Sequence, residues 1–106
     1  MIYEILRELY MQFDFEWDRH KAATNSRKHG VTFDRAATVF LDPRLLSIFD
    51  HENSDAEERW ISIGIDGSGG LLTVCHTYRQ GLKTSAIIRI FSARKATAHE
   101  IEQYKG

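Results

Sequence analysis

Apolar residues recur along this chain in two rhythms, and each rhythm predicts an element. In residues 2–9, Ile2, Ile5, Leu6 and Leu9 fall at helical spacing with Glu4, Arg7 and Glu8 opposite, the pattern of a short amphipathic helix. From Met11 the period drops to two. Phe13, Phe15 and Trp17 alternate with polar residues and predict a strand with one buried face. The patterns are separable, so residues 1–10 read as an N-terminal extension and residues 11–106 as one domain, with Met11 as an alternative start. Asp18 suits an N-cap and Gly30 the left-handed position after a last turn, which bounds a helix over about 19–29. Apart from Ala22 and Ala23 this helix lacks an apolar stripe. Lys21, Asn25 and Lys28 share one polar face with His29 beside them, so its place is expected to depend on flanking anchors such as Trp17 and Val31.

Thr32 caps a second helix over about 33–41, with Phe33, Ala36, Ala37 and Phe40 as its core stripe, ended by Asp42-Pro43. Strand patterns follow at 45–50, 59–65, 71–78 and 84–92. A polar loop, the glycine-rich reversal 66–70 and Gln80-Gly81 separate them. Thr97-Ala98-His99-Glu100 has capping-box spacing and opens a last helix to about Tyr104. The predicted fold is α+β: an antiparallel sheet of the N-terminal strand plus a four-strand meander, with two N-terminal helices and one C-terminal helix packed on one face.

With 106 residues, 42% of them hydrophobic, and a single Cys, the chain can bury one core and has no disulfide framework. No apolar run approaches the roughly 18 residues of a bilayer span, and the N-terminus lacks the order of a signal peptide. A cytoplasmic protein without membrane contact is expected. The formal charge of −1 conceals a segregation. Residues 42–58 carry six acids against one base, whereas residues 79–106 carry six bases (Arg79, Lys83, Arg89, Arg94, Lys95 and Lys105) against two acids. Such a segment suits a polyanion or an acidic partner, and equally a solvated face.

Phosphate-binding glycine loops, nucleophile elbows and His-Glu-x-x-His are all missing, and the five histidines are scattered, so no metal or cofactor is expected. Arg89 interrupts the apolar run Ile87-Ile88-Arg89-Ile90-Phe91. A guanidinium there must pair with an acid such as Glu57 or Glu58, or face an anion. With Arg94 and Lys95 following and Arg79 ending the neighbouring strand, four cations are expected to converge on one end of the sheet.

The stretches Phe15-Glu16-Trp17-Asp18, Lys21-Ala22, Asn25, Lys28-His29-Gly30-Val31 with Phe33, Glu57-Glu58-Arg59, Ile63-Gly64, and Arg89 through Thr97 with Glu100 and Tyr104 resemble the BrnT family of type II toxins. The resemblance runs from Phe13 to Tyr104. Phe91 departs from it, standing where an aliphatic core residue is expected. The resemblance implies a small ribonuclease of RelE-like fold whose partners are an RNA substrate and a BrnA-like ribbon-helix-helix antitoxin, with operator DNA bound only through that antitoxin.

Metal-independent RNA cleavage needs a group to take the 2′-hydroxyl proton, cations for the phosphorane, and a group to protonate the leaving 5′-oxygen. Arg79, Arg89 and Arg94 suit the phosphorane, because guanidinium binds phosphate oxygens bidentately and keeps its proton. His29 suits acid–base work by intrinsic pKa and equally a packing role at its helix end, with Lys28 and Lys95 as alternatives; Tyr104 suits proton donation or stacking on a base. Lys21, Asn25 and Lys28 suit the edge of an RNA groove or an antitoxin contact, and Arg59 suits RNA or an ion pair with its neighbouring acids. The alternative to an enzyme is a non-catalytic module that binds nucleic acid or protein through the basic C-terminal strand and helix.

Overall fold

The computed structural model describes residues 13–82 and 85–106. The amphipathic pattern at 2–9, Met11, and the start of the strand pattern at 84 fall outside the described residues. The elements are β1 (Phe13–Glu16), α1 (Arg19–His29), α2 (Phe33–Thr38) continued by a 3₁₀ turn (Val39–Leu41), β2 (Leu46–Phe49), β3 (Arg59–Ile65), β4 (Leu71–Gln80), β5 (Ala86–Lys95) and α3 (Ala98–Lys105). A short 3₁₀ turn, His51–Asn53, sits in the acidic loop. The helix ends form for the local reasons expected. Asp18 accepts from Lys21 N, Thr32 accepts from Arg35 N, Gly30 closes α1 at φ 68°, and Thr97 with Glu100 completes a capping box.

The strands form one sheet in the order β1-β5-β4-β3-β2. The meander β2 to β5 is antiparallel as predicted, but β1 pairs parallel to β5, with Phe13 opposite Ala86 and Glu16 opposite Arg89. Only a tight hairpin forces antiparallel pairing. Two helices separate β1 from β2, which leaves β1 free to lie alongside the last strand.

The helices also occupy both faces of the sheet instead of one. On the first face Val31, Phe33, Ala36, Val39 and Phe40 pack on Leu72, Val74, Ile88, Ile90 and Ala93, with Phe13, Phe15 and Trp17 at the margin. Gly64 lets this layer close, since a Cβ there would come within 2.8 Å of Leu45 Cδ1. On the second face lie Ile63, Thr73, Cys75, Thr77 and Arg89, offset by one residue from the core positions. The C-terminal helix α3 covers one end of that face, where Glu100 meets Thr73 and Arg94. The other end stays open. The physical reason is the parity of β5: Ala93 faces the core, so Arg94 faces away and draws the Glu100 helix with it.

Asn25 fixes α1, whose apolar face is weak. It is buried at 6% exposure and is not part of the polar face expected for it. Its side-chain amide accepts from Ala93 N (3.1 Å) and donates to Ala93 O (2.8 Å) and Val31 O (3.0 Å). β1 ends opposite Arg89, and four residues further along the same edge of β5 the Asn25 amide pairs both backbone groups of Ala93. Replacing Asn25 with Ala strips partners from three buried backbone groups and is expected to destabilise the domain by about 2–4 kcal/mol. Urea unfolding at an unchanged m-value checks this; a loss under about 0.5 kcal/mol would contradict it.

Candidate nucleic-acid interface

The open end of the second face carries a cross-strand row. Arg59 on β3 stands opposite Thr77 on β4, Thr77 opposite Arg89 on β5, and Arg89 opposite Glu16 on β1. Side chains of one such row point to the same face. Two residues further along β4, Arg79 also faces this side and donates from Nη1 to Glu16 Oε1 at 2.8 Å. Arg79 and Glu16 are about half exposed. The Arg79 hydrogen bond, with Arg79 and Arg89 charges nearby, holds the Glu16 carboxyl below its ordinary range, and the same bond raises Arg79.

A β-bulge shapes the row. Cys75 pairs with Ser92 but His76 with Ile90, which leaves Phe91 as the extra residue. Instead of filling the core as an aliphatic residue would, the Phe91 ring meets the Arg59 guanidinium at 4.4 Å and the Lys21 ammonium at 5.4 Å, gathering cations from β3 and α1. Beside it, Thr77 is 5% exposed and its hydroxyl finds no hydrogen-bond partner among the described residues. Arg89 is exposed and forms no ion pair among the described residues, and Arg59 reaches Glu57 only at 3.7 Å. Where β1 turns into α1, a polar cleft of about 290 Å³ is lined by Glu16, Trp17, Asp18 and Arg89.

The expected convergence of four cations on one sheet end does not occur. Antiparallel register puts Arg79 opposite Ile87 at the start of β5, whereas Arg94 lies opposite Thr73 near its end, about 20 Å away along the strand. Lys95 faces the other side, opposite Leu72. Arg94 is engaged in a bidentate pair with Glu100 (2.7 and 2.9 Å), whose Oε1 also accepts from Thr73 Oγ1 and Thr97 N. Tyr104 donates to Asp42 Oδ2 at 2.6 Å, which raises its pKa, and Asp42 also accepts from Ile65 N. These bonds dock α3 onto the sheet and leave neither side chain beside Arg89. His29 and Lys28 end α1, well along the helix from Lys21.

Six of the ten expected site residues thus lie apart from Arg79 and Arg89: Lys28, His29, Arg94, Lys95, Tyr104 and the buried Asn25. Lys21, Arg59, Arg79 and Arg89 do come together, and sequence reading missed Glu16, Thr77 and Phe91 beside them. Alternation in Phe13-Asp14-Phe15-Glu16 placed Glu16 on the face opposite the Phe residues; what was missing was the strand it would neighbour. His76 lies on the other face, where Ser62 Oγ (2.7 Å) and Thr77 O (3.0 Å) hold its ring and burial lowers its pKa. It borders a cleft of about 360 Å³ formed with Phe13, Phe40, Leu45, Trp60 and Tyr78, whose apolar walls do not suit a phosphate backbone.

A basic, partly aromatic sheet face on a small α+β domain has the chemistry that suits a polyanion. The family model for BrnT, the ribonuclease toxin of type II toxin-antitoxin systems, matches residues 17–100, and the chain belongs to this family. In fold it is similar to the crystal structure of the Brucella abortus ribonuclease toxin BrnT, at 23% identity and a TM-score of 0.53 over 78% of this chain and 95% of that one. Comparison with curated proteins returns no match. No described helix is long and apolar enough to cross a membrane.

The docking of α3 predicts a pH dependence. Chiefly through the Arg94 hydrogen bond, Glu100 is lowered from its ordinary 4.5 to about 2. A carboxyl depressed on folding contributes stability that is fully present above its unfolded pKa and is lost as pH falls through the folded one. Glu100→Gln should therefore be less stable than the parent at pH 7, with the gap closing between pH 4.5 and 2. Urea midpoints at pH 7, 4 and 2.5 check it; a gap independent of pH would contradict the assignment.

Proposed function

We propose that this chain is a metal-independent endoribonuclease that cuts RNA by attack of a 2′-hydroxyl on the adjacent phosphate, and that the cut arrests growth. The observation that carries this reading is the row Arg59–Thr77–Arg89 flanked by Arg79 and by Lys21 at Phe91. Guanidinium groups offer fixed forks of donors to phosphate oxygens and cannot surrender their protons, so they stabilise the extra charge of a phosphorane without a metal ion. In this reading Arg89 and Arg79 contact the scissile phosphate. Arg59 and Lys21 hold the flanking backbone, and Phe91 keeps both in place. Lys28, about 10 Å along α1 from Lys21, and Lys95 lie beyond that phosphate and serve flanking RNA or the antitoxin.

His29 is assigned to the end of α1, Arg94 and Tyr104 to the docking of α3, and Asn25 to the anchoring of α1. Membership in a toxin-antitoxin family supports a neutralising antitoxin. We assign it to the BrnA-like ribbon-helix-helix type, with operator DNA bound through the antitoxin and the toxin acting in the cytoplasm. Because the basic surface is one face of a near-neutral protein, RNA affinity depends on that face and falls steeply with salt.

Purified protein should degrade single-stranded RNA in the presence of EDTA. Arg89→Ala and Arg79→Ala should each lower the rate at least about 100-fold with unchanged unfolding midpoints. Full activity in both variants would overturn the site, a requirement for divalent metal would overturn the metal-independent chemistry, and salt-sensitive binding without cleavage would favour a binding module.

A further inference from the structure

Resting on the ribonuclease reading, we propose that Glu16 is the general base that takes the 2′-hydroxyl proton. Three acids stand at the open end on β1 and its junction with α1: Asp14, Glu16 and Asp18. Asp18 Oδ2 is occupied by its cap bond to Lys21 N at 3.0 Å, and Asp14 pairs in register with Ile87, in the row of Arg79 but one row from Arg89, and lines no part of the cleft that Arg89 borders. Glu16 differs from both. It ends the row that contains Arg89, lines the polar cleft of about 290 Å³ together with Arg89, and is about half exposed. Its one side-chain bond among the described residues goes to Arg79, itself a phosphate candidate.

A phosphodiester drawn onto Arg79 and Arg89 brings its neighbouring ribose to the Glu16 carboxylate. The cleft of about 290 Å³ lined by Glu16 and Arg89 lies beside that position. In the free protein the carboxylate accepts one hydrogen bond from Arg79 Nη1, a donor that the phosphate takes over, so substrate binding releases the Arg79–Glu16 bond as it positions the base. The charges facing Glu16 are Arg79 from β4 and Arg89 from β5. Both keep it ionised and ready to accept a proton at neutral pH.

The step balances as follows. The 2′-oxygen gives its proton to Glu16 and forms a bond to phosphorus, the bond from phosphorus to the 5′-oxygen breaks, and that oxygen takes a proton from water. The products are a 2′,3′-cyclic phosphate and a free 5′-hydroxyl, and protonated Glu16 returns its proton to solvent.

Glu16→Gln, Glu16→Asp and Asp14→Asn are compared with the parent chain, using a single-stranded RNA oligonucleotide under single-turnover conditions and its all-2′-deoxy counterpart for binding. Glu16→Gln should cut at least about 100-fold more slowly while binding the deoxy oligonucleotide as tightly as the parent or more so. Glu16→Asp should recover part of the rate, and Asp14→Asn all of it. A Glu16→Gln rate within about threefold of the parent would overturn the assignment and reduce Glu16 to a tether for Arg79. If the parent itself leaves RNA intact, the ribonuclease reading falls, and the role of Glu16 with it.

Discussion

Three hydrogen bonds from one side-chain amide set the layout of this domain. β1 is four residues long and stops opposite Arg89, leaving the edge of β5 unpaired just where the bulge at Phe91 bends it. Asn25 closes that gap by pairing both backbone groups of Ala93 and holding Val31. Because α1 has too little apolar surface to find its place by burial, these bonds decide where it lies, and therefore where Lys21 lies relative to Phe91. An interaction inside the fold thus fixes the composition of the open face. Asn25, one of three polar residues expected to share the exposed face of α1, is instead the buried anchor of that helix.

Charge follows the same economy. Arg79, Arg94, Arg59 and Arg35 each meet a carboxylate, yet the pairs differ in kind. Arg94 and Glu100 form a bidentate pair with further bonds from Thr73 and Thr97, largely sheltered, and the pair holds a helix. Arg79 and Glu16 share one exposed bond, which a phosphate can exchange at little cost because surface ion pairs contribute at most about 1 kcal/mol. Ion pairing therefore sorts the cations: firmly held ones are structural, loosely held ones are available.

Much of the fold was legible in the chain. Caps at Asp18, Thr32 and Thr97, the stop at Gly30, and the alternation in β1 each depend on neighbours a few residues away, and all formed as read. The parallel pairing of β1 and the placement of α3 on the second face depend on contacts between distant segments, about which local periodicity is silent. The separation of Arg79 from Arg94 was available, since a reversal after Gln80 runs β5 back along β4 and sends a residue at the end of β4 and one near the end of β5 to opposite ends. Glu16 and Phe91 were hidden for a different reason. Their significance lies in which strand stands beside β1 and in one extra residue of β5, features that no composition or spacing announces.

In the proposed function, RNA meets the chain on the open end of the second sheet face. The most direct test is amide chemical-shift mapping of the protein with an all-2′-deoxy oligonucleotide that it can bind but not cut. Shifts concentrated at Glu16, Lys21, Arg59, Thr77, Arg79, Arg89 and Phe91 are expected. Shifts concentrated instead at His29, Lys95 and Tyr104, or around the apolar cleft at Trp60 and Tyr78, would contradict it.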